Sequence, residues 1–209
     1  MTKALGIATR DLSGTLSLSG DLTAKGSTSP EIRKTALGSV QVRIEDGSIR
    51  KFPVLSKVFS LLNVSQLLKG QLPDMVSGGM PFNTITGTFA VREGVVSTQD
   101  LFMDSDAINV SAVGTFDLVR NELDVTIGAQ PLQTVDKVVN RLPIVGWILT
   151  GNNNAFLTAY FEAKGKIDDP TVKTIPVKSM SKGAFNIFKR LFQLPAKLIT
   201  DTGEVILGK

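Results

Sequence analysis

The chain has 209 residues, enough for a sizeable core, with 42% hydrophobic but only 6% aromatic content and a net charge of +4. It contains no Cys and no His, which removes thiol nucleophiles, imidazole bases and the usual zinc and iron ligand sets. The mild positive charge permits attraction to anionic lipid or nucleic acid and requires neither.

In chain order, residues 1–26 read as a hairpin, with Leu12, Leu16, Leu18 and Leu22 at even positions among Ser, Thr and Gly. Ser27 to Pro30 is turn chemistry, and Glu31 to Leu37 is a short connection. The stretch from Gly38 to Gly70 organises the remainder. Val40, Val42 and Ile44 alternate with Gln41, Arg43 and Glu45, the period of a strand with one buried face. Asp46-Gly47 offers a hairpin turn, and Ile49 begins the return. From Phe52 the period becomes helical: Val54, Leu55, Val58, Phe59, Leu61, Leu62, Leu67 and Leu68 form one stripe, with Pro53 in the first turn and Gly70 at the end. Gln71 to Phe82 carries two Pro and two Gly and is predicted to be a loop.

Strands resume at Thr84. Phe89 and Val91 lead into Glu93-Gly94, where Val91, Glu93, Gly94 and Val96 echo Ile44, Asp46, Gly47 and Ile49 at a distance of forty-seven residues. Ile108, Val110 and Ala112, then Phe116 and Leu118, a turn at Arg120-Asn121, and Leu123, Val125 and Ile127 continue an antiparallel meander. Pro131 closes it. Leu132, Val135, Val138, Val139 and Leu142 step out a second amphipathic helix, taken as 132–149. Leu157, Ala159, Phe161 and Ala163 make a further strand, Asp168-Asp169-Pro170 a turn, and Val172, Ile175 and Val177 the end of the sheet. The tail from Lys178 is basic and amphipathic, with no acid between Lys173 and Thr200. No signal peptide or transmembrane span is visible, so any membrane anchor is expected to lie outside this sequence.

These elements predict a β-dominated α+β fold: a twisted, mostly antiparallel sheet with amphipathic helices at one end and another at the C-terminus, its apolar face either covered by those helices or curled into an open trough or half-barrel. The divisions are an N-terminal hairpin over 1–30, a sheet domain over 31–177 with helices near 52–70 and 132–149, and a basic tail over 178–209.

Candidate chemistry is sparse. The paired carboxylates Glu45 and Asp46, Asp104 and Asp106, and Asp168 and Asp169 all fall in predicted turns, where Asp serves local backbone hydrogen bonds. No phosphate-binding loop is present, and neither a cofactor nor a metal site is predicted. The strand-borne Phe89, Phe116 and Phe161 lie on apolar alternating faces and are not interleaved with cations, which argues against nucleic acid.

The dominant feature is the quantity of one-sided apolar strand. Its greasy face consists of Val40, Val42 and Ile44; Phe89 and Val91; Ile108, Val110, Phe116 and Leu118; Leu123, Val125 and Ile127; and Leu157, Ala159 and Phe161. The chain's own helices could cover this face as an ordinary core, or the face could stay open as a lining for acyl chains. At about 0.8 kcal/mol per CH₂, taking two acyl chains of ~16 carbons through water costs on the order of 25 kcal/mol. A carrier of such chains therefore needs a continuous apolar lining. In the tail, Lys182, Phe185, Phe188, Lys189, Arg190 and Phe192 have the composition of a membrane-surface helix, and equally of a docked helix with its cations in water.

Several stretches from Gly38 to Pro195 resemble the C-terminal region of AsmA-like proteins (the AsmA, TamB and YhdP type) of Gram-negative bacteria. They are Gly38-Ser-Val-Gln-Val-Arg-Ile-Glu-Asp-Gly-Ser-Ile49 with its following helix, Ile85-Thr-Gly-Thr-Phe89 to Gly94, Asp100-Leu-Phe-Met-Asp-Ser105, and Phe161-Glu-Ala-Lys-Gly165-Lys-Ile167-Asp-Asp-Pro170-Thr-Val172. The resemblance implies a non-catalytic envelope protein on the periplasmic face, its full-length parent anchored in the inner membrane. It implies a β-groove that contacts phospholipid, a role in inner-to-outer membrane phospholipid transport and outer-membrane homeostasis, and contact with the membrane surface and envelope assembly proteins. A module that binds an assembly partner by strand addition is the alternative. An enzyme working through the turn carboxylates is a third.

Overall fold

The computed structural model describes residues 11–50, 52–62, 79–132, 147–150 and 156–193. In chain order these form β1 (Leu12–Thr23), α1 (Ser29–Thr35), β2 (Leu37–Ile49), α2 (Pro53–Leu61), β3 (Met80–Arg92), β4 (Val95–Asp104), β5 (Ile108–Asp117), β6 (Glu122–Pro131), β7 (Trp147–Thr150), β8 (Phe156–Lys166), β9 (Pro170–Thr174), a 3-10 turn (Val177–Ser179) and α3 (Lys182–Gln193). The nine strands make one sheet in the order β1-β2-β3-β4-β5-β6-β8-β7, and β9 also pairs with β8. Every pairing is antiparallel. β7 and β9 share the outer edge of β8, one against its start and the other against its end. Among the described residues nothing pairs with the outer edge of β1, so the sheet is an open, curled trough.

The curl can be judged from α2. A flat sheet would set β2 and β9, with β3, β4, β5, β6 and β8 between them, about 29 Å apart. A helix of nine residues is about 13 Å long, yet Lys57 at its midpoint reaches the β8–β9 turn. The two walls are drawn towards each other.

Two bulges keep the apolar side chains on one side of this sheet. In β2 the register against β1 shifts opposite Gly14, around Asp46, whose φ is 51°. Ile44 and Ile49, five positions apart, would face opposite ways in a regular strand, and both join one core. β4 has a matching irregularity between Thr98 and Leu101. There the Asp100 carboxylate accepts a hydrogen bond from the Thr88 backbone N–H at 2.7 Å, replacing the ladder bond that the bulge removes. The parity change lets Val96, before the bulge, share a face with Leu101 and Met103 after it.

Several sequence expectations change accordingly. Asp46-Gly47 is a bulge inside a continuous 13-residue strand, not a hairpin turn. Its echo Glu93-Gly94 is a true two-residue turn, with φ of 51° and 84°, the doubly positive pattern that suits strand twist. Residues 12–23 are a single strand paired with β2, in place of the expected hairpin; residues 1–10 lie outside the described residues. Ser29–Thr35 is a helix, capped by the Thr28 hydroxyl and by the Glu31 carboxylate bonded to the Ser27 N–H. β3 begins at Met80, inside the expected loop. Of the helix expected over 52–70, Pro53–Leu61 is helical and 63–70 lies outside the described residues. Of that expected over 132–149, 133–146 lies outside them, and Trp147–Thr150 is a strand. Leu118 sits in the β5–β6 turn, where its N–H donates to the Gly94 carbonyl at 2.9 Å. Val177 belongs to the 3-10 turn and is not on the sheet.

Gly47 tests the bulge. A Cβ there would lie 2.0 Å from the Ser13 carbonyl oxygen and 2.3 Å from Phe82 Cζ. Gly47→Ala is expected to cost about 3 kcal/mol in urea unfolding. Gly183→Ala, in a helix with nothing within 4 Å, is expected to stabilise by about 0.5–1 kcal/mol in the same assay.

Candidate functional site

The register turns the predicted apolar residues into a surface. One rung runs Leu16, Ile44, Ile85, Met103, Val110, Ala129 and Ala159 across seven strands. A second runs Leu22, Gly38, Val91, Val96, Phe116, Leu123, Gly165 and Pro170. Directly paired residues share a face, so Val40 stands with Phe89, Leu18 with Val42, Gly114 with Val125, and Ile127 with Ala112 and Phe161. Ile108 is two positions from Val110 on β5, and Leu157 two from Ala159 on β8, at the register position opposite Leu149. Leu118 alone of the predicted lining lies off the strands. The lining that sequence reasoning missed is Ile85, Val96, Leu101 and Met103, together with Leu16, Leu18 and Leu22, which the sequence pattern places in a separate hairpin.

Cover on this face is graded. Away from β1 it is closed: Val54 and Val58 of α2 and its C-cap residue Leu62 share one buried cluster with Val110, Val125, Ile127 and Phe161, and α2 packs against β9. α2 is fastened at the far wall by Lys57, whose Nζ donates to Asp169 Oδ1 at 2.5 Å and to the Pro170 carbonyl at 2.7 Å. That hydrogen bond, helped by the lysine's charge, holds the Asp169 carboxyl below its ordinary range. Towards β1 the cover ends. Val40, Val42, Phe89 and Val91 are half-buried, while Leu16, Leu18 and Leu22 are 49%, 48% and 46% exposed.

The opposite face is polar over β6 and β8, with Lys164 paired to Glu162 at 2.8 Å and Lys166 to Glu122 at 3.1 Å. Beside these pairs it carries α3. Ser181 caps this helix, its Oγ accepting from the Ala184 N–H at 3.2 Å. Phe188 meets Tyr160 edge-on at 5.3 Å, and Phe192 meets Phe102 at 6.1 Å. Gly128 lets both rings approach, since a Cβ there would be 2.8 Å from Phe192 and 3.0 Å from Phe188. Of the tail residues predicted to touch a membrane, Phe188 is therefore fully buried against the sheet and Phe192 is packed on aromatic rings. Lys182, Lys189 and Arg190 are exposed, and Phe185 is half-exposed between the first two.

Of the paired carboxylates, Asp104, Asp106, Asp168, Asp169 and Glu45 have side-chain partners. Asn83 Nδ2 donates to Asp104 at 3.1 Å and Asp106 at 2.9 Å; Asn121 Nδ2 donates to Asp168 at 3.0 Å; Arg43 binds Glu45 at 2.9 Å. Among the described residues no three His, Cys, Asp or Glu side chains are placed to hold a metal ion, and no helix is long and apolar enough to cross a membrane.

The fold defines the class, an open, curled antiparallel sheet with a one-sided apolar face. More narrowly, the family model described as YhdP protein matches residues 1–172, and the chain belongs to that family. It is thus an envelope-associated protein; α3 lies beyond the matched residues. No curated protein and no solved structure matches the chain.

Tyr160 reports on the α3 face because it is the chain's single tyrosine. Burial pushes its phenol from 10.0 up to about 12. The folded state favours the neutral phenol, so this contribution is complete below pH 10 and is lost as pH rises through about 12. Ultraviolet titration is expected to show no phenolate at pH 10.5 in native protein and a substantial fraction in urea.

Proposed function

We propose that this domain is a non-catalytic glycerophospholipid-binding element that contacts acyl chains along the apolar face of the trough. It would work at the periplasmic face of the envelope, in phospholipid movement between the inner and outer membranes and in outer-membrane homeostasis. One observation carries the reading: the apolar face runs through seven strands and remains exposed at Leu16, Leu18 and Leu22, beside the edge that is open among the described residues. A soluble domain rarely leaves an aliphatic row of this kind uncovered without a ligand or partner for it. Membership of the YhdP family supports the same reading. The contact with membrane would run through Lys182, Phe185, Lys189 and Arg190, the outward side of α3, which suits an anionic surface.

The edge of β1, unpaired among the described residues, supports a second reading, addition of a strand from an envelope assembly partner. Its twelve residues contain no Pro and a single charge, Asp21, so the edge lacks the usual protection against pairing.

Lipid extraction and native mass spectrometry of the purified protein are expected to find phospholipid in a defined stoichiometry. Leu18→Asp is expected to reduce bound lipid at least fivefold with the fold intact, because water already reaches that position. Val125→Asp, at a buried site, is expected to unfold the domain at a cost of about 3–5 kcal/mol. Lipid-free protein that captures only an extended peptide at β1 would favour the second reading.

A further inference from the structure

α2 lies in the trough without the features that fix a helix in place. It has nine residues, no side-chain hydrogen bond at its N-cap, no acid in its first turn and no base in its last. Helices this short and uncapped hold their shape in water mainly through docking. What docks α2 is a mainly aliphatic stripe, Val54, Val58 and Leu62 buried with Leu55 and Phe59 packed beside them at partial burial, together with the Lys57 link to Asp169 and Pro170. That link is open to water: the Lys57 side chain is 43% exposed and the Asp169 side chain 85%. The space under α2 also continues the exposed part of the face, because the rung through Leu16, Ile44, Ile85, Met103 and Val110 passes from one into the other.

We propose that α2 is a displaceable plug of the trough. Acyl chains bound over β1 to β3 extend into the part lined by β5, β6 and β8 by replacing Val54, Val58 and Leu62 there, while Lys57 releases the β8–β9 turn. The exchange substitutes one aliphatic occupant for another, so the walls keep apolar contact throughout. The inference rests on the lipid-binding reading above and adds how that site is opened.

The chain has no cysteine of its own, so a Lys57→Cys/Asp169→Cys variant carries two addressable thiols, both at exposed positions. These can be bridged with a short bis-maleimide that has a reducible centre. The full chain is then mixed with vesicles of phosphatidylethanolamine and phosphatidylglycerol containing a labelled phosphatidylethanolamine, and protein-bound label is followed over time. The bridged protein is expected to take up label at least tenfold more slowly than the unbridged variant, and reduction is expected to restore the rate. Lys57→Ala, with the aliphatic stripe intact, is expected to raise the rate two- to fivefold. Equal uptake by bridged and unbridged protein would overturn the plug and leave the lipid reading standing. No uptake by any form, wild type included, would overturn the lipid reading and the plug with it.

Discussion

The controlling constraint is an antiparallel sheet whose apolar face is wider than the chain's described helices can cover. Packing a face of this kind normally takes a second layer along its whole width. Among the described residues the helix on that face is α2, nine residues long, which packs against β9 and shares one buried cluster with residues of β5, β6 and β8. The other long helix, α3, docks on the reverse side. The result is a gradient, from the fully buried Phe161 at one wall to a half-exposed Leu16 at the other. Two opposing needs are met within one sheet. The closed part supplies a core that holds the fold, and the exposed part presents aliphatic surface to whatever approaches the edge.

Much of this was legible in the sequence, because period-2 alternation assigns a face without reference to the rest of the fold. Val40, Val42, Ile44, Phe116, Leu123, Val125 and Phe161 all lie where alternation puts them. The bulges were not legible. Asp46-Gly47 and Glu93-Gly94 are the same local signal, acid then glycine between apolar residues, and they fold differently. The chain beyond each pair makes the difference: after Gly94 a full alternating strand returns, whereas after Gly47 only Ile49 remains before Pro53 starts a helix. In β4 the polar run Ser97-Thr98-Gln99-Asp100 broke the alternation and concealed Leu101 and Met103, although apolar residues five apart around an Asp could have signalled a bulge. What the apolar side of the tail meets was not legible either, for a different reason. An amphipathic stripe states that a helix has an apolar side and says nothing of what that side meets; Phe188 meets Tyr160, opposite the glycine that makes room for it.

The two faces are also held by different kinds of contact. α3 is fixed by the buried Leu191 and by aromatic rings, edge-on at Tyr160 and Phe102, and the ring contacts are directional and tied to a particular pose. α2 is held mainly by Val54, Val58 and Leu62, with Leu55 and Phe59 packed beside them, and most of that contribution comes from apolar area removed from water, with little dependence on orientation. A methylene chain can supply area of that kind; it cannot reproduce a ring meeting a ring. The chemistry of attachment therefore separates the helices by how readily another molecule could take their place. The outer helix is keyed to its seat, while the inner one fills a space that any aliphatic chain of similar girth would fill as well.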